Sequence, residues 1–220
     1  MSQNTTSDHA DDPSLVRLGS FSDGVFAFAI TLLVLTIRIP HPSDADAGTG
    51  LLTLLTQQWR NFMAFVLSFM LVGINWAHYR VMLSKFAHVN HALILLNMLY
   101  LMLGVAFMPI PTAILGDWIG GNPQNQVIAA VFYGAASMIG GLAFNIIWWY
   151  GAYIAKLTIP TLTANDRHAY TTAWGFAPLV VTALTALAFV NPKMAVAGYI
   201  ATVVLYVLPV PGMVARHRRQ

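Results

Sequence analysis

The residues that could do chemistry gather at the start of the first apolar run. Arg17, Ser22 and Asp23 sit in RLGSFSDGVFAFAITLLVLTIRIP, residues 17–40, and from Gly24 to Pro40 the only charge is Arg38. An ionisable side chain at the edge of a membrane span is a candidate for ion handling. The same acid also has a plainer use. Ser20 followed three residues later by Asp23 has the spacing of a capping box, and a carboxylate there gains from free helix amides. His78 follows Asn75 and Trp76 at the close of the second apolar run. It either hydrogen-bonds locally or partners Ser22 or Asp23 at the same membrane face. His88 and His91 are three apart, a spacing that can hold a metal. No cysteine exists and no carboxylate is close, so no metal site is expected. Asn97 and Asn145 lie inside apolar runs, where an amide usually reaches a neighbouring helix.

Composition says what must position these groups. The 220 residues are 57% hydrophobic and 9% charged, with mean hydropathy +0.65. A soluble domain would carry about 25% charged residues. The chain therefore reads as an integral membrane protein, all α-helical. Its pI near 9.3 reflects basic residues beside apolar runs, which set topology and do not signal nucleic acid. The N-terminal MSQNTTSDHADDPS lacks the basic start of a signal peptide, so the first apolar run is expected to remain.

Six spans of roughly 20 residues fit the pattern. They are expected near Leu18–Ile39, Gln57–Ala77, His91–Ile110, Val127–Tyr150, Ala169–Val190 and Met194–Val210. Pro40 and Pro42 close the first, and Pro109 and Pro111 the third. Residues 116–126 read as a loop, Pro178 as a kink, and Trp148, Trp149, Tyr150 and Tyr153 as an interfacial belt. Gly134, Gly140 and Gly141 permit close helix crossings. The division expected is a disordered cytoplasmic segment 1–14, a membrane domain 15–214 and a basic tail 215–220. Arg17, Arg80, Lys85, Lys156, Arg167, Arg216, Arg218 and Arg219 fall on one side, against Arg38, Arg60 and Lys193 on the other. That excess places both termini in the cytoplasm of a multi-pass cell-membrane protein.

At 100° per residue, Phe21, Gly24, Phe28, Thr31, Leu32, Leu35 and Ile39 share one face of the first helix, and Asp23 lies well off it. Such a stripe faces lipid, a packed helix or a pore, and periodicity alone does not choose. No TVGYG-like filter, arginine ladder, HExxH, GxSxG or Walker A occurs. No nucleophile–base pair appears, so the chain does not read as an enzyme. No second copy of the first-helix pattern is visible.

The motif R-x-x-x-F-S-D, here Arg17 to Asp23, followed by GVFAFAITLLVL, resembles the signature of the transmembrane protein 175 family, a lysosomal potassium channel and its single-repeat prokaryotic relatives. Asn75-Trp76-Ala-His78 and the run from Asn97 through Phe107, Pro109, Pro111 and Thr112 agree with it. The resemblance implies a potassium-selective cation channel without a carbonyl filter loop, needing no cofactor, with potassium as the permeant ion. It implies a homotetramer in the bilayer, with four copies of helix one lining the path. By position, Phe28, Leu32 and Leu35 would form constriction layers and Thr31 would present a hydroxyl. Phe28 stands where relatives usually carry isoleucine or leucine. Arg17, Phe21, Ser22 and Asp23 would brace helix one, with Trp76 and His78 as partners. A narrow apolar ring gates by excluding water. The other readings are an ion- or proton-coupled transporter built on Asp23, His78 and Asn97, and a non-transporting scaffold.

Overall fold

The structure, a computed structural model, describes residues 12–41, 48 and 50–207. Pro42, the segment before residue 12 and the basic tail with Arg216, Arg218 and Arg219 lie outside the described residues. The frame is α1 (Pro13–Leu32), α2 (Leu51–Gln57), α3 (Trp59–Leu83), α4 (His91–Tyr100), α5 (Pro109–Trp118), α6 (Pro123–Trp149), α7 (Ala164–Ala188) and α8 (Pro192–Val207). A 3₁₀ turn, Leu33–Thr36, continues α1, and π-helical turns follow α4 (Leu101–Ala106) and α6 (Tyr150–Ile154). Among the described residues five helical segments are long and apolar enough to cross a membrane: 13–36, 59–83, 91–118, 123–154 and 164–188. The chain is an all-helical, multi-pass membrane protein. Where a sixth span is expected lies α8, apolar but with 16 residues within the described range and not among those five.

The first helix begins five residues before the expected Leu18. Its cap is Asp12, whose carboxylate accepts from the Ser14 amide at 2.9 Å, with Pro13 at the first helical position. Ser20 is therefore not a cap; its hydroxyl donates to the Val16 carbonyl at 3.0 Å. Among the described residues a capping box forms between Thr163 and Asp166, at the start of α7.

The third span also differs from expectation. It does not end at Pro109 and Pro111 but runs on to Trp118. Those prolines withdraw the amides that would bond the carbonyls four residues back, at Val105 and Phe107. Both carbonyls are met one residue earlier, by the Met108 amide at 3.2 Å and the Ile110 amide at 3.1 Å. Inside a bilayer this local tightening is what lets a proline-bearing helix persist. The expected loop 116–126 shrinks to residues 119–122, because Asn122 caps α6 and Pro123 starts it.

The helices cross closely where side chains are small. A Cβ on Gly140 would stand 2.6 Å from the Gly104 Cα, so α6 meets the π turn after α4 backbone to backbone. Pro178 removes the amide that would bond the Trp174 carbonyl. Asn145 supplies the missing donor from α6, at 3.2 Å. Trp148 is not an interfacial belt residue: it is 1% exposed and packs edge-on against Trp174 at 4.9 Å. Its indole donates to Thr171 at 2.8 Å. Trp149 remains exposed, and Tyr153 bonds Thr171 from the rim.

Candidate functional site

Helix α1 has two faces. Leu18, Ser22, Phe26, Ala29 and Leu33 recur every three or four residues and are buried against α3 and the α4 region. Phe21, Phe28 and Leu35 are 52%, 66% and 75% exposed. Gly24 and Thr31 lie exposed beside them, and Leu32 is half-buried. Ser22 and Phe28 differ by six residues, which is roughly 120° round the helix. Phe21, Gly24, Phe28, Leu32 and Ala106 border an open apolar groove of about 420 Å³ on this outer side. The Thr31 hydroxyl donates back to the Phe28 carbonyl at 2.7 Å. The structure thus gathers all four expected pathway residues on the outer side of the chain.

The buried face is held by a closed ring of hydrogen bonds. The Tyr79 hydroxyl donates to Asn97 Oδ1 at 2.8 Å, and Asn97 Nδ2 donates to Ser22 Oγ at 3.1 Å. Ser22 Oγ lies 2.7 Å from the Tyr79 oxygen and 2.8 Å from the Leu18 carbonyl. Ser22 and Tyr79 are fully buried and Asn97 nearly so. Each member can donate to the next, so one ring satisfies three polar side chains from α1, α3 and α4 inside an apolar surround. Phe26 sits against it, 5.5 Å from the Tyr79 ring, which stacks on Tyr100 at 5.7 Å.

Asp23 is held separately. Trp76 Nε1 donates to its carboxylate at 2.7 Å, and the Arg80 guanidinium lies 5.2 Å over the same indole. Trp76, Tyr79 and Arg80 recur at three- and four-residue spacing, the side of α3 that faces α1. His78 is elsewhere. Its ring meets Tyr206 of α8 at 5.7 Å and borders a small space with Asn75 and Asn145. The expected contact of His78 with Ser22 or Asp23 is therefore replaced by Tyr79 and Trp76. Spacing carried the signal, because Trp76 and His78 lie 200° apart on a helix at 100° per residue and cannot both face α1. Arg17 is exposed and, among the described residues, makes no hydrogen bond or ion pair. Phe21 is exposed too, and Phe26 is the phenylalanine that packs inward.

A second polar chain lies deeper along α3. Thr112 donates to Ser68 at 2.7 Å, and Ser68 meets the Tyr133 hydroxyl at 3.1 Å. Near the far end, Asn61 donates to Asp117 at 2.7 Å. His88 stands 3.8 Å from Asp12. Among the described residues no three histidine, aspartate or glutamate side chains cluster as metal ligands.

Residues 17–109, which hold α1, α3 and the ring, match the family model described as endosomal/lysosomal potassium channel TMEM175. A potassium channel of Streptomyces collinus is 36% identical over 183 residues, which is 83% of this chain and 86% of that protein. The chain belongs to this family. A second relative, a potassium channel of Chamaesiphon minutus, is 33% identical over 82% of this chain and 87% of its own length. The crystal structure of a lysosomal potassium-selective channel TMEM175 homologue from Chamaesiphon minutus superposes with a TM-score of 0.79 at 30% identity. The match covers 89% of this chain and 97% of that one. The family is one of channels, not enzymes, and its likeness here extends beyond the motif-bearing helices to nearly the whole fold.

Proposed function

We propose that this protein is a potassium-selective cation channel whose pathway is built by four copies of α1 around a shared axis, in the cell membrane with both termini cytoplasmic. The carrying observation is the division of α1: one face locked by the Ser22–Tyr79–Asn97 ring, the other exposing Phe21, Phe28 and Leu35. A helix anchored so firmly on one side is fitted to present the other to a neighbouring copy. One chain has one such face, so a closed lumen needs symmetry-related copies. Phe28, Leu32 and Leu35 form the apolar layers, with Thr31 between them. Narrow apolar layers stop ions by dewetting, and conduction follows when they part enough to stay wet. Potassium releases its hydration water more readily than sodium, so partial dehydration at the narrowest layer favours potassium. Arg17, Ser22, Asp23, Trp76 and His78 stay outside the lumen, Phe21 shares the exposed face with Phe28, and Ser22, Asp23 and Trp76 brace α1 directly.

The test is flux in liposomes of the purified protein, with potassium, sodium and chloride gradients compared. Potassium flux above sodium and no chloride flux are expected. Leu35→Ala should raise cation flux and lower the potassium-to-sodium ratio. Folded protein that passes no cation, or an unchanged ratio and conductance in Leu35→Ala, overturns the assignment of this path.

A further inference from the structure

Between the start of α1, the end of α3 and the loop after α6 lies a cleft of about 900 Å³. Leu15, Val16 and Leu83 give it apolar walls, and Arg80 and Lys156 line it too. Among the described residues neither cation has a hydrogen-bond or ion-pair partner in the protein; Arg80 rests on the Trp76 ring. The acid in the cleft, Asp23, is already taken by the Trp76 indole, and His88 lies against Asp12. Asp23 keeps its charge, so Arg80 and Lys156 against that one carboxylate leave the lining net positive.

Lys156 adds an independent observation. It has φ of 51°, and among the described residues it is the one non-glycine side chain in the left-handed region. The position follows directly on the end of the π turn, with the Ala155 amide bonding Tyr150 and the Leu157 amide bonding Gly151, both at 2.8 Å. Helix ends of this kind favour glycine, because a Cβ is strained there. A lysine held in that conformation in the lining of a cleft points to a use for its side chain.

We infer that this cleft binds the phosphate headgroup of an anionic phospholipid, with Arg80 and Lys156 as the phosphate-binding cations. The apolar walls belong to two membrane-spanning segments, so they continue toward acyl chains. A free phosphate would have no use for them, which commits the site to a lipid. The guanidinium supplies directed donors to phosphate oxygens and the ammonium a mobile charge. Because Arg80 also lies over the indole that holds Asp23, bound lipid would report directly to the base of α1.

Retention of lipid is read without flux, by native mass spectrometry of the intact protein released from detergent. The probes are phosphatidylglycerol and phosphatidylcholine. Wild type should retain phosphatidylglycerol over phosphatidylcholine. Arg80→Gln and Lys156→Gly should each lower that occupancy about fivefold, the effect of one cation near an anionic surface. Lys85→Gln, a neighbouring cation outside the cleft, should leave it unchanged. Lys156→Gly should also melt no lower than wild type, since glycine relieves the backbone; a merely structural lysine would not separate these two readouts. Equal retention of both lipids, or unchanged occupancy in Arg80→Gln and Lys156→Gly, overturns the site. So does stripping of phosphatidylglycerol by millimolar inorganic phosphate. None of these outcomes depends on whether α1 lines the path.

Discussion

The hydrogen-bonded ring behind α1 can be tested by removing one oxygen atom. Tyr79→Phe keeps the aromatic body, with its contacts to Phe26 at 5.5 Å and Tyr100 at 5.7 Å. It deletes the donor to Asn97 Oδ1, which leaves a buried amide oxygen without its partner. Ser22 loses less, because its hydroxyl can turn fully to the Leu18 carbonyl at 2.8 Å. One orphaned buried acceptor costs about 1–3 kcal/mol. Measured inter-helix bonds in membranes fall lower, averaging about 0.6 kcal/mol with a maximum near 1.7. The expected loss for Tyr79→Phe is therefore about 1–2 kcal/mol. Asn97→Leu should cost a similar amount, since it unpairs the Tyr79 donor from its acceptor. The decisive variant carries both changes. With the amide gone there is no acceptor to orphan, so the double variant should lose about 1 kcal/mol less than the sum of the singles. The assay is equilibrium unfolding in mixed micelles with rising denaturing detergent, followed by tryptophan fluorescence. A Tyr79→Phe protein as stable as wild type, or strictly additive losses, would refute the ring.

Other outcomes follow from the same geometry. Gly140→Ala should destabilise by about 1–3 kcal/mol, since its Cβ would press 2.6 Å from backbone; Gly73→Ala, which meets nothing within 4 Å, should be neutral or gain about 0.5–1 kcal/mol. Thermal melting in detergent separates the two. Asn145→Leu should cost about 1 kcal/mol or more by freeing the Trp174 carbonyl, and the loss should shrink in a Pro178→Ala background, where the helix regains that amide; unfolding of all three variants checks it. The Ser14 amide holds the Asp12 carboxyl below the usual carboxylate range. The capped start of α1 is thus most stable above about pH 4, the unfolded value, and loosens as pH falls through the lower folded one. Protection factors of the first turn of α1, corrected for intrinsic exchange, should fall as pH drops through that range in wild type and stay level there in Asp12→Asn.

The membrane class and the positions of the five long spans were legible because lipid imposes a long apolar period that few charges interrupt. The ends were less so. Proline at 109 and 111 reads as a stop, yet the carbonyls at Val105 and Phe107 find amides one residue closer, a repair that only the three-dimensional turn reveals. Trp148 reads as an anchor at an interface, but its neighbours Trp174 and Tyr170 arrive from another helix. Asn97 and Asn145 were legible as inter-helix donors, since an unpaired amide in lipid has no other outlet. Their acceptors were not, because Ser22 and the Trp174 carbonyl lie 75 and 29 residues away in the chain.

The position of the ring along α1 bears on how a gate there would work. Ser22 sits near the base of the helix, and Leu35 lies thirteen residues on. Ten of those steps are α-helical and three belong to the 3₁₀ turn, so the lever is about 21 Å long at the rises of the two helix types. A tilt of about 10° about the ring would carry Leu35 sideways by roughly 3–4 Å, enough to change a narrow ring of four side chains from dry to wet. That motion leaves all three hydrogen bonds intact, whereas sliding α1 along its axis breaks them. The far end carries a short 3₁₀ turn, Leu33–Thr36, whose Leu33 is fully buried. A base held by directional hydrogen bonds makes tilting about it less costly than sliding along the axis. It follows that Leu35→Ala and Tyr79→Phe should act differently: the first alters flux with little change in stability, and the second lowers stability and loosens the pivot together.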